Sequence, residues 1–245
     1  MANTLNGNDM AAFLQTKVGT PYVYGCKGSE GPLTLEKLNK LAVSFPSIFT
    51  GTYLMKIARK GLVGQVCTDC SGLVEWYTRR YLSSSQLYAK AYARLPISYW
   101  EIFALGTVLW KQGHVGVYLG NGLVVEAKNI DYGTVFSDIK KSGWKCGLTF
   151  DWIDYDIPER VNPTAITYKG ENPFPEPEGL LRKGDRGDEV KWLQWELVES
   201  GFKLDVDGVF GTSTEYILKV YQKTCRLMID GICGAQTRNA LKANL

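Results

Sequence analysis

The sequence predicts an α+β chain in two parts, and three observations predict it. Leu73, Val74, Trp76, Tyr77, Tyr81 and Leu82 recur at three-to-four-residue spacing, the pattern of an amphipathic helix beginning at Ser71. His114 to Leu119 alternates in character, Gly120-Asn121-Gly122 supplies a turn and Leu123 to Ala127 returns, the pattern of a β-hairpin. Farther on, Asp207-Gly208-Val209-Phe210-Gly211-Thr212-Ser213-Thr214 and Asp230-Gly231-Ile232-Cys233-Gly234-Ala235-Gln236-Thr237 share the form D-G-[VI]-x-G-x-x-T, and each leads into a helix. Together with an earlier helix carrying Val190, Leu193 and Leu197, from whose stripe Gln194 faces away, they predict a small bundle of three short helices.

Composition bounds the rest. With 245 residues, 45 % hydrophobic and 12 % aromatic, the chain can bury one sizeable core or two smaller ones. Its first ten residues hold neither a basic leader nor an apolar run, and no later segment approaches the roughly 18 apolar residues of a membrane helix. Synthesis in the cytoplasm without a signal peptide, and no membrane insertion, are therefore expected. A net charge of +3 without a Lys/Arg run longer than two gives no case for a nucleic-acid partner, and a monomer is expected. The six cysteines are irregularly spaced in a chain too large to need a disulfide framework, so reduced thiols are expected. Cys67-x-x-Cys70 could be a redox pair or half a zinc site, but no second such pair follows and one histidine cannot complete a tetrahedral site. No metal and no cofactor are expected.

In chain order, Leu35, Leu38, Leu41 and Ala42 predict a helix bounded by Pro32 and Pro46. The Ser71 helix follows, with Thr68 or Asp69 near its cap, and then the hairpin. Pro158, Pro163, Pro173, Pro175 and Pro177, five of the nine prolines, mark a semi-rigid connector. This divides the chain into 1–160, a connector at 161–178, and 179–245. In the last part Cys233 takes the place of Phe210 in the other copy of the repeat, so it reads as a buried apolar residue.

His114 is the only histidine, hence the only imidazole available for general base work near neutral pH. Cys70 stands at the start of the predicted helix, where free amides and the helix dipole favour thiolate over thiol. Glu126 can join them only in one hairpin register. A two-residue turn pairs it with Val117 and points it away from His114. A three-residue turn centred on Asn121 pairs it with Gly116, on the face of His114 and diagonal to it. We expect the three-residue turn, in which the carboxylate orients the imidazole. Taken singly, a strand histidine, a lone cysteine and a strand glutamate are ordinary structural residues; jointly they support one mechanism.

Gly19-Thr20-Pro21-Tyr22-Val23-Tyr24-Gly25, then Asp69-Cys70-Ser71-Gly72, then His114-Val115-Gly116-Val117-Tyr118-Leu119-Gly120-Asn121-Gly122 resemble, in that order, the NlpC-like cysteine peptidases of the papain-related class. The resemblance implies a helix bearing the nucleophile packed on an antiparallel sheet, and cleavage of amide bonds in peptidoglycan stem peptides. It places Cys70 as nucleophile, His114 as base, Glu126 at the third polar position and Tyr22 beside the nucleophile. Asp69 falls where some members hold a substrate amine, although capping the helix is an equal alternative, and Ser71 falls near substrate backbone. Two departures stand out: position 126 is most often histidine in the family, and the segment 27–66 lengthens the usual spacing, either walling the substrate groove or extending the core.

Gly184-Asp185-x-Gly187-x-x-Val190-x-x-Leu193-Gln194, the two D-G repeats and Tyr221-Gln222 resemble the peptidoglycan-binding domain of bacterial and phage wall hydrolases. That resemblance implies a non-catalytic module that holds an enzyme on the wall. Near-neutral charge in 179–245 leaves binding to shape, aromatics and hydrogen bonds, so Trp192, Trp195 and Tyr216 are candidates for a sugar-stacking platform, with core packing the alternative expected for at least one of the three. The whole reads as a phage or prophage endolysin whose partner is bacterial peptidoglycan. The γ-D-glutamyl-diamino acid bond is its first expected target and the N-acetylmuramoyl-L-alanine amide its second. A non-catalytic wall-binding protein and a thiol acyltransferase are the alternatives from other classes.

Overall fold

A computed structural model describes residues 5–155, 170–202 and 204–243. The chain forms two compact units, Met1–Tyr92 with Pro96–Asp156, and Ile157–Leu245 with Ala93–Leu95. The proline-rich connector expected at 161–178 lies outside the described residues as far as 169, and 170–178 holds neither helix nor strand.

The first unit opens with β1 (Leu5–Asn6), paired in parallel with β8 (Ile153–Asp154), and α1 (Gly7–Gln15). Asn6 caps α1 by accepting the backbone N–H of Asn8 at 2.8 Å and of Asp9 at 3.1 Å. The segment expected to hold one helix holds two, α2 (Leu35–Ser44) and α3 (Gly51–Arg59), capped by the hydroxyls of Thr34 and Thr50. Leu38, Leu41 and Ala42 pack against a satellite core that includes Val23, Cys26, Leu33, Phe49, Ile57 and Cys67, whereas Leu35 is exposed. The segment 27–66 thus builds a core of its own. Cys67 belongs to it, Cys70 belongs to the main core, and both thiols are free, so the C-x-x-C spacing does not make a bonded pair.

The predicted cysteine helix is α4 (Cys70–Thr78). It begins one residue before Ser71 and stops four residues short of Leu82. Arg79 takes a left-handed conformation, φ 56°, and its N–H closes the last turn on the Glu75 carbonyl at 2.7 Å. Tyr81 is consequently exposed, while Leu82 reaches the core from beyond the helix. α5 (Ser84–Lys90) follows, opened by a capping box of Ser83 and Gln86.

β2 (Ala93–Pro96) leads to β3 (Val108–Lys111), β4 (His114–Tyr118), β5 (Leu123–Asn129), β6 (Gly133–Asp138) and β7 (Cys146–Thr149). Within this unit the spatial order is β7-β3-β4-β5-β6, antiparallel throughout. Leu73 and Val74 of α4 bury against Val115, Val117, Val125 and Ala127, each such side chain contributing about 1.5–3 kcal/mol. The β4–β5 register, Val117 opposite Val125 and Tyr118 opposite Val124, is the one expected from a three-residue turn. Gly120, Asn121 and Gly122 form that turn with φ of 91°, 51° and 78°, values that suit glycine and asparagine.

The second unit has three helices, α6 (Asp188–Glu199), α7 (Thr212–Thr224) and α8 (Ala235–Lys242). Its repeat has a physical basis in two buried glutamines. Gln194 Nε2 donates to Asp207 Oδ1 (2.7 Å), the Val209 carbonyl (3.2 Å) and Thr214 Oγ1 (3.2 Å), while its Oε1 accepts the Gly208 N–H at 2.8 Å. Gln222 makes the same four bonds to Asp230, Ile232, Thr237 and Gly231. Gln194 therefore faces inward, contrary to the expectation from its helix, because the turn's aspartate, glycine and threonine need a partner that both donates and accepts. Cys233 is fully buried, like Phe210, and burial pushes its thiol up to about 12.

Candidate active site

Asp69 caps α4, its Oδ1 accepting the Gly72 N–H and the Ser71 hydroxyl (3.0 Å) and its Oδ2 accepting the Gly25 N–H (2.9 Å). Capping fixes where Cys70 begins the helix. The ammonium of Lys27 completes the cluster, 3.1 and 3.2 Å from the two carboxylate oxygens and 3.1 Å from Ser71 Oγ. Tyr22 is drawn to the same place by a parallel bridge to Thr68, with the Val23 N–H bonded to the Thr68 carbonyl at 3.2 Å. Val115, the residue after His114, lies in the same buried cluster as Cys70, and its backbone N–H favours a negative sulfur there. Cys70, Tyr22, Asp69 and Ser71 are thereby gathered at one helix end.

His114 Nε2 lies 2.7 Å from Glu126 Oε2, the imidazole 14 % exposed and the carboxylate 1 %. The indole of Trp144 stacks on the imidazole, with centroids 5.5 Å apart and planes 13° from parallel. Lys111 Nζ stands 4.8 Å from the Trp144 ring and donates to the Ser142 carbonyl at 2.7 Å. One ring nitrogen is therefore held by a buried carboxylate and one ring face is closed by an indole, which leaves the imidazole little rotational freedom.

Electrostatics sharpen the assignment. Burial pushes the Cys70 thiol up to about 11 and the Asp69 carboxylate adds to the rise, against the opposing pull of the Val115 and Ser71 N–H groups and the Lys27 ammonium. The helix end was expected to favour thiolate; desolvation outweighs it, so the resting thiol is protonated at neutral pH. Burial, with the charges of Cys70 and Asp69, raises the Tyr22 phenol, which stays a neutral O–H donor. Burial also works to raise the Glu126 carboxyl, yet the His114 hydrogen bond and the His114 and Lys111 charges work against it, and the carboxyl is held below the usual carboxylate range.

Lys27 and Trp144 are members of this cluster that sequence reasoning missed. Neither has a local signal: Lys27 lies 42 residues from Asp69, and Trp144 follows a loop without periodicity. In the second unit the proposed sugar platform needs correction. Trp192 is 3 % and Tyr216 9 % exposed, so both are core residues with no open ring face, and Trp195 is half-buried with Phe174 at its edge, 6.2 Å away.

Residues 186–241 match the family model described as a putative peptidoglycan binding domain. The N-acetylmuramoyl-L-alanine amidase CwlL of Bacillus licheniformis is 39 % identical over 67 residues, 26 % of this chain and 19 % of that protein. The chain thus spans about a fifth of the length of the curated relatives it matches first. Among solved structures, the SleB N-terminal domain is 37 % identical, with 28 % of this chain and 97 % of that one covered and a TM-score of 0.27. The P60 domain of M. avium subspecies paratuberculosis antigen MAP1204 is 22 % identical, with 59 % and 96 % covered and a TM-score of 0.38. Over residues 186–241, therefore, the chain carries a domain of the putative peptidoglycan binding family.

Proposed function

We propose that the first unit is a cysteine amidohydrolase of peptidoglycan stem peptides and that the second unit holds it on the wall. The observation that carries the reading is the 2.7 Å hydrogen bond from His114 to a buried carboxylate, made one residue before Val115, which shares a buried cluster with Cys70. A sole histidine oriented in this way beside a helix-end cysteine suits nucleophilic acyl transfer. The order of the Tyr22, Cys70 and His114 motifs supports the same reading.

In this mechanism Cys70 gives its proton to His114 and its sulfur attacks a stem-peptide carbonyl carbon. The backbone amide of Cys70 and the neutral Tyr22 hydroxyl hold the oxyanion. His114 then protonates the departing amine, leaving a thioester. It next takes a proton from water, the hydroxide displaces the sulfur, and a carboxylate and the free thiol result. Glu126 stabilises the imidazolium in both halves of the cycle.

The bond we assign first joins D-glutamate, through its γ-carboxyl, to the diamino acid. A second reading, the N-acetylmuramoyl-L-alanine amide, is favoured by the Lys27–Asp69 ion pair, which leaves that carboxylate no free charge for a substrate amine. Mass spectrometry of fragments released from purified peptidoglycans by wild type and Cys70→Ala tests the reading. We expect fragments with a new amine or a new lactoyl-linked carboxylate, their masses naming the bond, and none from the variant. Equal release by both proteins would refute the mechanism, and no release by wild type would leave a wall-binding protein.

A further inference from the structure

Lys27 takes no step in that mechanism, yet it sits beside the nucleophile. Its side chain is 16 % exposed and the Asp69 side chain 8 %. Burying such a pair costs desolvation that a neutral asparagine cap would avoid, and asparagine caps a helix as well as aspartate does. The chain is also shaped to deliver Lys27. At Gly28 a Cβ would fall inside the Trp76 ring of α4, so only glycine lets this segment lie against the helix.

Cys70 is faced by Asp69 and Lys27 from the segments before α4, by Tyr22 from the segment bridged to Thr68, and by Val115 from β4. Of these, Asp69 opposes a negative sulfur and Lys27 favours one. We propose that Lys27 is a positioning residue for the nucleophile: its ammonium neutralises and orients the Asp69 carboxylate, so that α4 is capped without a bare negative charge beside the reacting sulfur. The inference rests on the reading of Cys70 as nucleophile.

The test is the rate at which iodoacetamide alkylates Cys70 in the full chain at pH 8, resolved from the other five cysteines by peptide mass spectrometry. With a shift of about one pKa unit, thiolate population and nucleophilicity together predict alkylation about three- to tenfold slower in Lys27→Met and faster by a similar factor in Asp69→Asn. Lys27→Arg stays within about twofold of wild type, and Lys27→Met/Asp69→Asn returns close to it. A purely structural role would loosen the helix end and speed alkylation in Lys27→Met, so the direction of change separates charge from packing. Lys27→Met reacting as fast as wild type or faster overturns the proposal. Should Lys27→Met fail to fold, Asp69→Asn decides alone, an unchanged or slower rate overturning it. Wall hydrolysis is not the readout, so wall lysis retained by Cys70→Ala would remove the nucleophile reading and leave the alkylation result distinguishable from it.

Discussion

Gly116 lies at the centre of β4 between His114 and Tyr118, and its replacement by alanine isolates the packing that holds the imidazole. Gly116 does not have a positive φ, so alanine meets no backbone penalty there. The cost is one of space. A Cβ at 116 would stand 3.0 Å from Val124 Cγ1 and 3.1 Å from both Cη2 and Cζ2 of Trp144, closer than the 3.4 Å at which ordinary contact begins. Val124 is fully buried and Trp144 nearly so, and each must give by a few tenths of an ångström. Overpacking of this kind costs about 1–3 kcal/mol, which for a unit of this size lowers the melting temperature by roughly 3–10 °C. The indole can yield only by sliding on His114, so turnover falls with stability. Trp144→Phe removes the two ring atoms in question, and in that background the cost of Gly116→Ala should drop by half or more. Thermal unfolding followed by circular dichroism measures all four corners of the cycle. A Gly116→Ala protein as stable as wild type, or an equal cost in both backgrounds, would refute the argument that the glycine makes room for the stacked indole.

Glu126→Gln keeps the size and a hydrogen bond but loses the charge, so kcat for fragment release should fall on the order of 10²–10⁴-fold, and an unchanged kcat would remove Glu126 from the mechanism. Because the Glu126 carboxyl is held below its ordinary value of 4.5 in the folded chain, its contribution to stability is present above that value and is lost as pH falls through the lower folded one. Chemical denaturation at a series of acid pH values should therefore show a shallower loss in Glu126→Gln than in wild type, and parallel curves would count against the shift. In the second unit, Gln194→Ala leaves the buried Gly208 N–H unpaired and removes one of the two bonds made by each of Asp207 Oδ1, the Val209 carbonyl and Thr214 Oγ1, and should cost about 1–3 kcal/mol in urea unfolding. Gln222→Ala should cost a similar amount; a neutral result at either position would sink the account of the repeat.

The sequence by itself determined what short-range pattern can carry. The start of α4 follows from apolar spacing next to a capping aspartate, and the β4–β5 register follows from the turn chemistry of Gly120-Asn121-Gly122, which in turn sets Glu126 beside His114. The D-G repeat announced two equivalent turns because each needs glycine at a fixed offset from its aspartate and threonine. Tertiary structure decided the rest. Arg79 ended α4 against its apolar period because a left-handed residue stops a helix whatever follows it. Gln194, polar by composition, turned inward because the buried turn required a partner. Trp192 and Tyr216, which sequence alone leaves free to bind sugar, went into the core because a small bundle must bury its largest rings. Lys27 and Trp144 entered the site through contacts that no local pattern encodes. Burial reversed the expected ionisation of Cys70, since helix-end amides are a property of the neighbouring residues while desolvation is a property of everything packed around the sulfur.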